Sequence, residues 1–307
     1  MSGGTDEIGC GMGRSAAIRY AGNLAGYAIL VLWAGICLFP LYWIAITSVK
    51  VAEFEPDGAT YLPFVDFAPT LESWRYILFD SHDDTLARVA TSLLTAAVAT
   101  VICLVLGGTA AYALVRLKTR LLLAPHTTLL ALMATRILPP CAVALPIYLT
   151  LQYLGLLDSS AGLILVYSAV NLPIAVWLLA NGIERLPAEM FDAAALDGAS
   201  HLRRLIDIAL PLAAAEVVAT GLLMFILCWN EFALAAVLTS DHALTLPAYL
   251  VGQMAVREQM ASTEPQWGNF SAIIVLMVAP LLLGAGVLQR LLSRSFVGRR
   301  KTGYEGG

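Results

Sequence analysis

The chain has 307 residues, 59% of them hydrophobic and only 13% charged, with a formal net charge of −4. A soluble domain carries about 25% charged residues, so this chain is built for a bilayer, which takes roughly 20 apolar residues per helical crossing. The balance excludes a nucleic-acid-binding protein, since no large basic domain exists.

In chain order, residues 1–20 are rich in Gly and Ser and read as a disordered tail. Six apolar runs follow, at about 23–46, 87–115, 121–147, 160–181, 208–238 and 268–291. Backbone groups in lipid need partners within their own segment, so the runs are predicted to be helices. The expected fold is an all-α membrane protein of six transmembrane helices, with residues 21–295 as one membrane domain and 296–307 as a C-terminal tail. Pro139, Pro140 and Pro146 kink or break the third run. The fifth is long, carries two acids and is expected to tilt or bend.

Of the 18 Lys and Arg, thirteen fall on one side of the six runs and four (Lys50, Arg75, Arg88, Arg257) on the other, with Arg136 inside the third run. The basic excess marks the cytoplasmic side, so both tails are expected in the cytoplasm of a prokaryotic plasma membrane.

The richest stretch lies on that side, between the fourth and fifth runs, at 184–211. Pro187 suits a helix start, and Glu189 and Asp192 favour its N-terminal region. Met190, Ala193, Ala194, Leu196 and Asp197 continue a short amphipathic helix with a small, smooth face. Gly198 permits a sharp turn. Leu202, Leu205 and Ile206 then lead through Ile208 and Leu210 to Pro211, where the fifth run is under way. Helix, turn and helix make a knob that fits a cleft in another protein.

Four polar residues fall inside the apolar runs and are candidates for a translocation path: Arg136, Asn171, Asn230 and Glu231. A charge in a span costs at least ~2.5–3.5 kcal/mol, so Arg136 is expected to face protein or water, and Glu231 is its candidate partner. The pair is either a polar lining or a structural ion pair. Asn171, two residues before Pro173, either touches substrate or serves backbone groups that the proline frees.

Catalytic signatures are missing. Lys50, Lys118 and Lys301 follow Val49, Leu117 and Arg300, so none sits after the glycine that a P-loop requires. His82, His126, His201 and His242 are scattered, and neither a zincin nor a nucleophile-elbow motif occurs. Cys10, Cys37, Cys103, Cys141 and Cys228 show no metal or redox spacing. The chain is expected to be neither enzyme nor metalloprotein and to need no cofactor. A stand-alone secondary transporter usually shows internal repeats, and no convincing one is found.

Asp192-Ala193-Ala194, three residues, Gly198, nine residues and Ile208-Ala209-Leu210-Pro211 resemble the EAA loop of binding-protein-dependent ABC importer permeases, with Asp192 where Glu is usual. Phe39-Pro40, Ala110-Ala111-Tyr112-Ala113 with Arg116, Arg136-Ile137-Leu138-Pro139-Pro140, Gly155-Leu156-Leu157-Asp158 and Trp229-Asn230-Glu231-Phe232 are similar to the carbohydrate branch, near the maltose-type second permease and its polyol and trehalose relatives. The likeness covers about residues 20–295. It implies the type I importer permease fold, with the 187–211 knob as a cytoplasmic coupling helix in which Glu189, Asp192, Ala193, Ala194, Asp197, Gly198, Ile208, Leu210 and Pro211 couple to an ATPase. It also implies as partners a homologous second permease, two ATP-binding cassette subunits, an extracytoplasmic solute-binding protein and membrane lipid, with a sugar or polyol as substrate.

Overall fold

The computed structural model describes residues 7–50, 60–80, 85–117, 124–259 and 267–301, and every regular element among them is a helix. In order these are α1 (Glu7–Thr47), α2 (Glu72–Arg75) with a π-helical turn, α3 (Thr85–Arg116), α4 (Pro125–Ala134), α5 (Pro140–Tyr153), α6 (Ser160–Glu184) and α7 (Ala188–Leu196). Then come α8 (His201–Arg204), a second π-helical turn (Leu205–Ala209), α9 (Leu210–Leu212), α10 (Ala214–Trp229), α11 (Ala233–Leu238), α12 (Leu246–Gln259) and α13 (Trp267–Lys301). The chain divides into two compact units, one of residues 1–77 and 264–275, the other of 78–263 and 276–307.

In the first unit α1 is helical from Glu7, so the segment expected to be a disordered tail is already helix over most of its length. Residues 1–6 and 302–307 of the two expected tails lie outside the described residues, and α13 carries helix through Lys301. Leu24, Ile29, Leu32 and Ile36 stand exposed around α1. Its C-terminal end is fastened by Trp74, whose indole N–H donates to Ser48 Oγ at 3.3 Å. Gly268, the second residue of α13, sits close to Ser73 Oγ and to the Lys50 carbonyl oxygen, so a side chain there would displace Ser73.

The second unit is a bundle in which α3 packs along α6 and α10 lies against both. Ala96, Ala99, Cys103, Gly107 and Ala111 recur at three and four residues along one face of α3, and that face is buried. The other face carries exposed Leu93, Val101 and Val105. Lipid tails are as apolar as leucine, so small residues that let backbones approach, rather than large ones, hold the bundle. At Gly107 an added Cβ would lie 3.1 Å from the Ala175 Cβ of α6.

Among the described residues, four helices are long and apolar enough to cross a membrane: Gly22–Thr47, Thr85–Arg116, Ser160–Glu184 and Trp267–Gly286. The third and fifth expected spans are broken. His126–Ile137 and Pro140–Tyr153 meet at 90°, where Pro139 and Pro140 supply no N–H to carry the helix on. The start of this run, 121–123, lies outside the described residues. His201–Leu212 and Ala214–Trp229 meet at 85° about Ala213. Counting each bent pair as one span gives six. The fifth run does not reach 238 as one helix, because α10 ends at Trp229 and α11 starts anew at Ala233.

Candidate functional site

The knob grows from the end of α6. Arg116, at the C-terminal end of α3, donates through Nη2 to the carbonyls of Ile183 (2.9 Å) and Leu186 (2.7 Å), just where α6 stops. The same guanidinium lies 4.2 Å over the Phe191 ring. Phe191 is the one buried residue of α7, and its ring stands 6.3 Å from that of Tyr112. One aromatic side chain thus roots α7 in the apolar cluster of Tyr112, Leu114, Ile183, Leu205 and Ala209.

Gly198 ends α7 at φ +79°, a left-handed conformation open to glycine at no steric cost. The amide of Ala199 donates to the Ala194 carbonyl (2.9 Å) and that of Gly198 to Ala195 (3.1 Å), the paired bonds of a Schellman stop. Ser200 starts the second leg, its Oγ accepting from the Arg203 amide at 3.3 Å.

Of the residues expected to couple, Glu189, Asp192, Ala193, Asp197, Gly198 and Pro211 are exposed, and Ala194 is half-buried. Asp192 has no ion-pair partner among the described residues. Ile208 and Leu210 instead pack against the apolar cluster, so they anchor the knob rather than face outward. Leu196, 90% exposed, Leu202 and Ile206 add an apolar outer surface. In the sequence Arg116 marks only a cytoplasmic end and a motif; the signal for its anchoring role is a base ending one run with an aromatic residue in the loop beyond the next.

The four polar path candidates are distributed otherwise than expected. Arg136 and Glu231 form no ion pair. Arg136 Nη1 donates to the Val170 carbonyl at 3.1 Å, which ties the break between α4 and α5 to α6. Glu231 accepts from the amides of Leu234 (2.8 Å) and Ala235 (3.0 Å) and so caps the start of α11. Asn171 is buried and donates to the Tyr167 carbonyl (2.9 Å) and to Cys228 Sγ (3.4 Å), joining α6 to α10 rather than serving a carbonyl freed by Pro173. Asn230 is exposed and donates to the Ile226 carbonyl at 2.9 Å. Arg136 is half-buried, and one of its five N–H groups donates to the Val170 carbonyl.

A clamp that the sequence did not disclose lies beyond the far ends of α3, α5 and α6. Asp158 accepts from the amides of Ser240 (3.1 Å), Asp241 (3.2 Å), His242 (3.2 Å) and Ala243 (3.2 Å) and from the Ser240 hydroxyl. Partial burial pushes its carboxyl upward, but the four backbone donors outweigh that and hold it down at about 2. Arg88 pairs with Asp241 at 3.1 Å, and Ser92 Oγ accepts from the Leu246 amide at 2.7 Å. The 239–246 connector is thus tied to α3 and to the turn before α6, with residues 240–242 exposed.

This arrangement, broken spans around a small-residue bundle with a rigid knob at one end, is that of a multi-span permease. Residues 126–298 match the family of binding-protein-dependent transport system inner membrane components, and the chain belongs to that family. It is 30% identical to the trehalose/maltose transport system permease protein MalG of Thermococcus litoralis, over 85% of this chain and 90% of that one. It is 30% identical to the trehalose transport system permease protein SugB of Mycobacterium tuberculosis, over 86% and 92%. It is also 32% identical to the sulfoquinovosyl glycerol transport system permease protein SmoH of Agrobacterium fabrum, over 80% and 82%. A chain of a bacterial ABC transporter that imports the acidic polysaccharide alginate shares the fold, with a TM-score of 0.70 at 23% identity over 88% of this chain and 96% of that one. The protein is thus an inner-membrane transport component that works with a binding protein, and not an enzyme.

Proposed function

We propose that this chain forms half of the translocation path of an ATP-driven importer for a sugar or polyol. A homologous second permease completes the path. Two ATP-binding cassette subunits grip the knobs from the cytoplasm, where both termini lie, and an extracytoplasmic binding protein delivers the substrate. The knob carries this reading. It is rigidly rooted through Phe191 and Arg116, yet presents Asp192, Ala193 and the Gly198 turn to solvent. A rigid plug of this kind passes motion of an ATPase into α6 and the broken fifth span, so nucleotide and loaded binding protein bias one bistable element from opposite ends. The carbohydrate class rests on the relatives, several of which are named for disaccharides or glycosides. Arg136, at a broken helix with donors to spare, suits a hydroxyl-rich solute.

Gly198→Val tests the reading in the assembled importer. A β-branched residue is strained at φ +79° and alters the outer face of the knob. Uptake should fall while membrane insertion and the ATPase activity of the partner subunits persist. Unchanged uptake would count against the docking role. Stimulation of ATPase activity by individual sugars and polyols, each with the cognate binding protein, identifies the substrate.

A further inference from the structure

Within the second unit, the pieces of chain beyond two helix breaks are gathered by one residue. α5 follows the break in the third span and α11 the break after α10, and the two pack against each other. α11 has six residues, and an isolated helix is marginal below ~12–15 residues. Its position is therefore set by what grips its ends. Glu231 caps its first turn. At its far end the Asp158 amide donates to the Leu238 carbonyl at 3.1 Å, and the Asp158 carboxylate takes the amides of residues 240–243. The same residue thus receives the end of α11 and the start of the connector.

The turn that presents Asp158 is itself closely fixed. Asp158 has φ +52°, a left-handed conformation that aspartate takes more readily than most residues. The Leu156 amide donates to the Leu151 carbonyl at 2.8 Å, which fastens the turn to α5. Ser159 Oγ donates to the Leu156 carbonyl at 2.6 Å and accepts from the Gly162 amide at 3.1 Å, which fastens it to α6. A Cβ at Gly162 would collide with the Leu156 carbonyl oxygen, so this close approach needs glycine. From the turn α6 runs to the root of the knob, where Arg116 holds the carbonyls of Ile183 and Leu186. The connector is also held to α3, which packs along α6, through Arg88 with Asp241 and Ser92 with Leu246.

We propose that Asp158 is a positioning residue for transport, whose clamp stays closed throughout the cycle and makes α11 follow α6. The inference rests on the knob being the ATPase contact, because α6 is then the driven element. With the clamp closed, motion delivered at the knob reaches α5 and α11 together. With the clamp open, α11 keeps only the Glu231 cap and its packing, and the last piece of the fifth span bends independently of α6. A carboxylate suits the task, since its two oxygens accept from several amides at once.

Asp158→Cys with Ser240→Cys puts two thiols where the carboxylate and the Ser240 hydroxyl meet at 3.0 Å. The assembled importer is purified with the pair bridged by a short bis-methanethiosulfonate and assayed before and after reduction, with the parent chain treated alike as reference for its native thiols. Uptake should persist while the bridge is intact and be lost on reduction, with basal ATPase activity unchanged in both. Loss of uptake with the bridge intact, or full uptake after reduction, overturns the proposal. A parent importer with no ATP-driven uptake would instead sink the reading of function, which separates the two failures. Hydrogen exchange reads the same clamp without substitution. The amides of residues 240–243 should be equally protected in the nucleotide-free importer and in one held by a non-hydrolysable ATP analogue. Loss of that protection in either state overturns the proposal equally.

Discussion

Arg116 and Phe191, 75 positions apart in the chain, meet with the guanidinium 4.2 Å above the ring while the same cation holds two carbonyls at the end of α6. A span end, the exit of the next span and the root of the knob are thereby one rigid body. A cation over a ring is worth about 0.5–2 kcal/mol, and a buried carbonyl left without a donor costs about 1–3 kcal/mol.

Arg116→Ala should therefore loosen the knob without preventing insertion. The expected outcome is weakened co-purification of the ATPase subunits and a large loss of uptake. Arg116→Lys should recover only part of both, because one ammonium cannot hold two carbonyls and stack on the ring as a planar fork does. Full uptake in the alanine variant would show that the junction is not needed.

Gly198 makes a separate prediction on stability. A side chain held in the left-handed region costs about 1–2 kcal/mol, so Gly198→Ala should lower the local stability of α7 by that amount. Hydrogen exchange at the Gly198 and Ala199 amides, which donate to Ala195 and Ala194, measures it. Gly198→Asn should fall in between, since Asn tolerates this conformation better than Ala.

Glu231 caps α11 and does not pair with Arg136. Glu231→Ala should cost about 1 kcal/mol, the usual worth of a side-chain cap, and Glu231→Gln, which keeps an acceptor oxygen, clearly less. Exchanging the charges, Arg136→Glu with Glu231→Arg, should not restore what the single reversals lose, because each charge has a backbone partner. Rescue in the thermal unfolding of the double variant would refute that geometry.

Asp158 sets a pH dependence. Its folded carboxyl sits at about 2, below the ordinary value of 3.8, so the clamp on 240–243 contributes stability that is fully present above that ordinary value. The contribution is lost as the pH falls from about 4 through 2. Protease sensitivity of the connector should rise over that window in the native chain. Asp158→Asn should show the raised sensitivity at neutral pH and little further change on acidification. A native connector that stays protected below pH 2 would contradict the assignment.

The sequence disclosed what depends on local pattern. The apolar runs, the prolines that break the third span and the Gly198 turn are all local, and the turn's stop bonds follow from one residue's conformational freedom. What it hid depends on distant partners. The charge of Arg136 requires a partner, and among the polar residues inside the apolar runs Glu231 carries the opposite charge. The actual acceptor is the Val170 carbonyl, a group every residue carries and no letter announces. Asp158 was noted as part of a family-like tetrapeptide, but its four donors are amides some 80 residues away. The resemblance to the EAA loop groups Ile208 and Leu210 with the coupling residues, but a motif does not say which side of the second leg faces the bundle.

The most direct test of the account addresses where the knob lies and what it meets. Leu196, 90% exposed at the tip of α7, can be changed to cysteine, with the parent chain as reference for its native thiols. In inverted vesicles Leu196→Cys should react with a membrane-impermeant maleimide and, through a short bifunctional reagent, cross-link to an ATP-binding cassette subunit with a yield that changes on adding ATP. Labelling of that cysteine by the same maleimide on intact cells, with no cross-link to an ATPase subunit, would contradict the account.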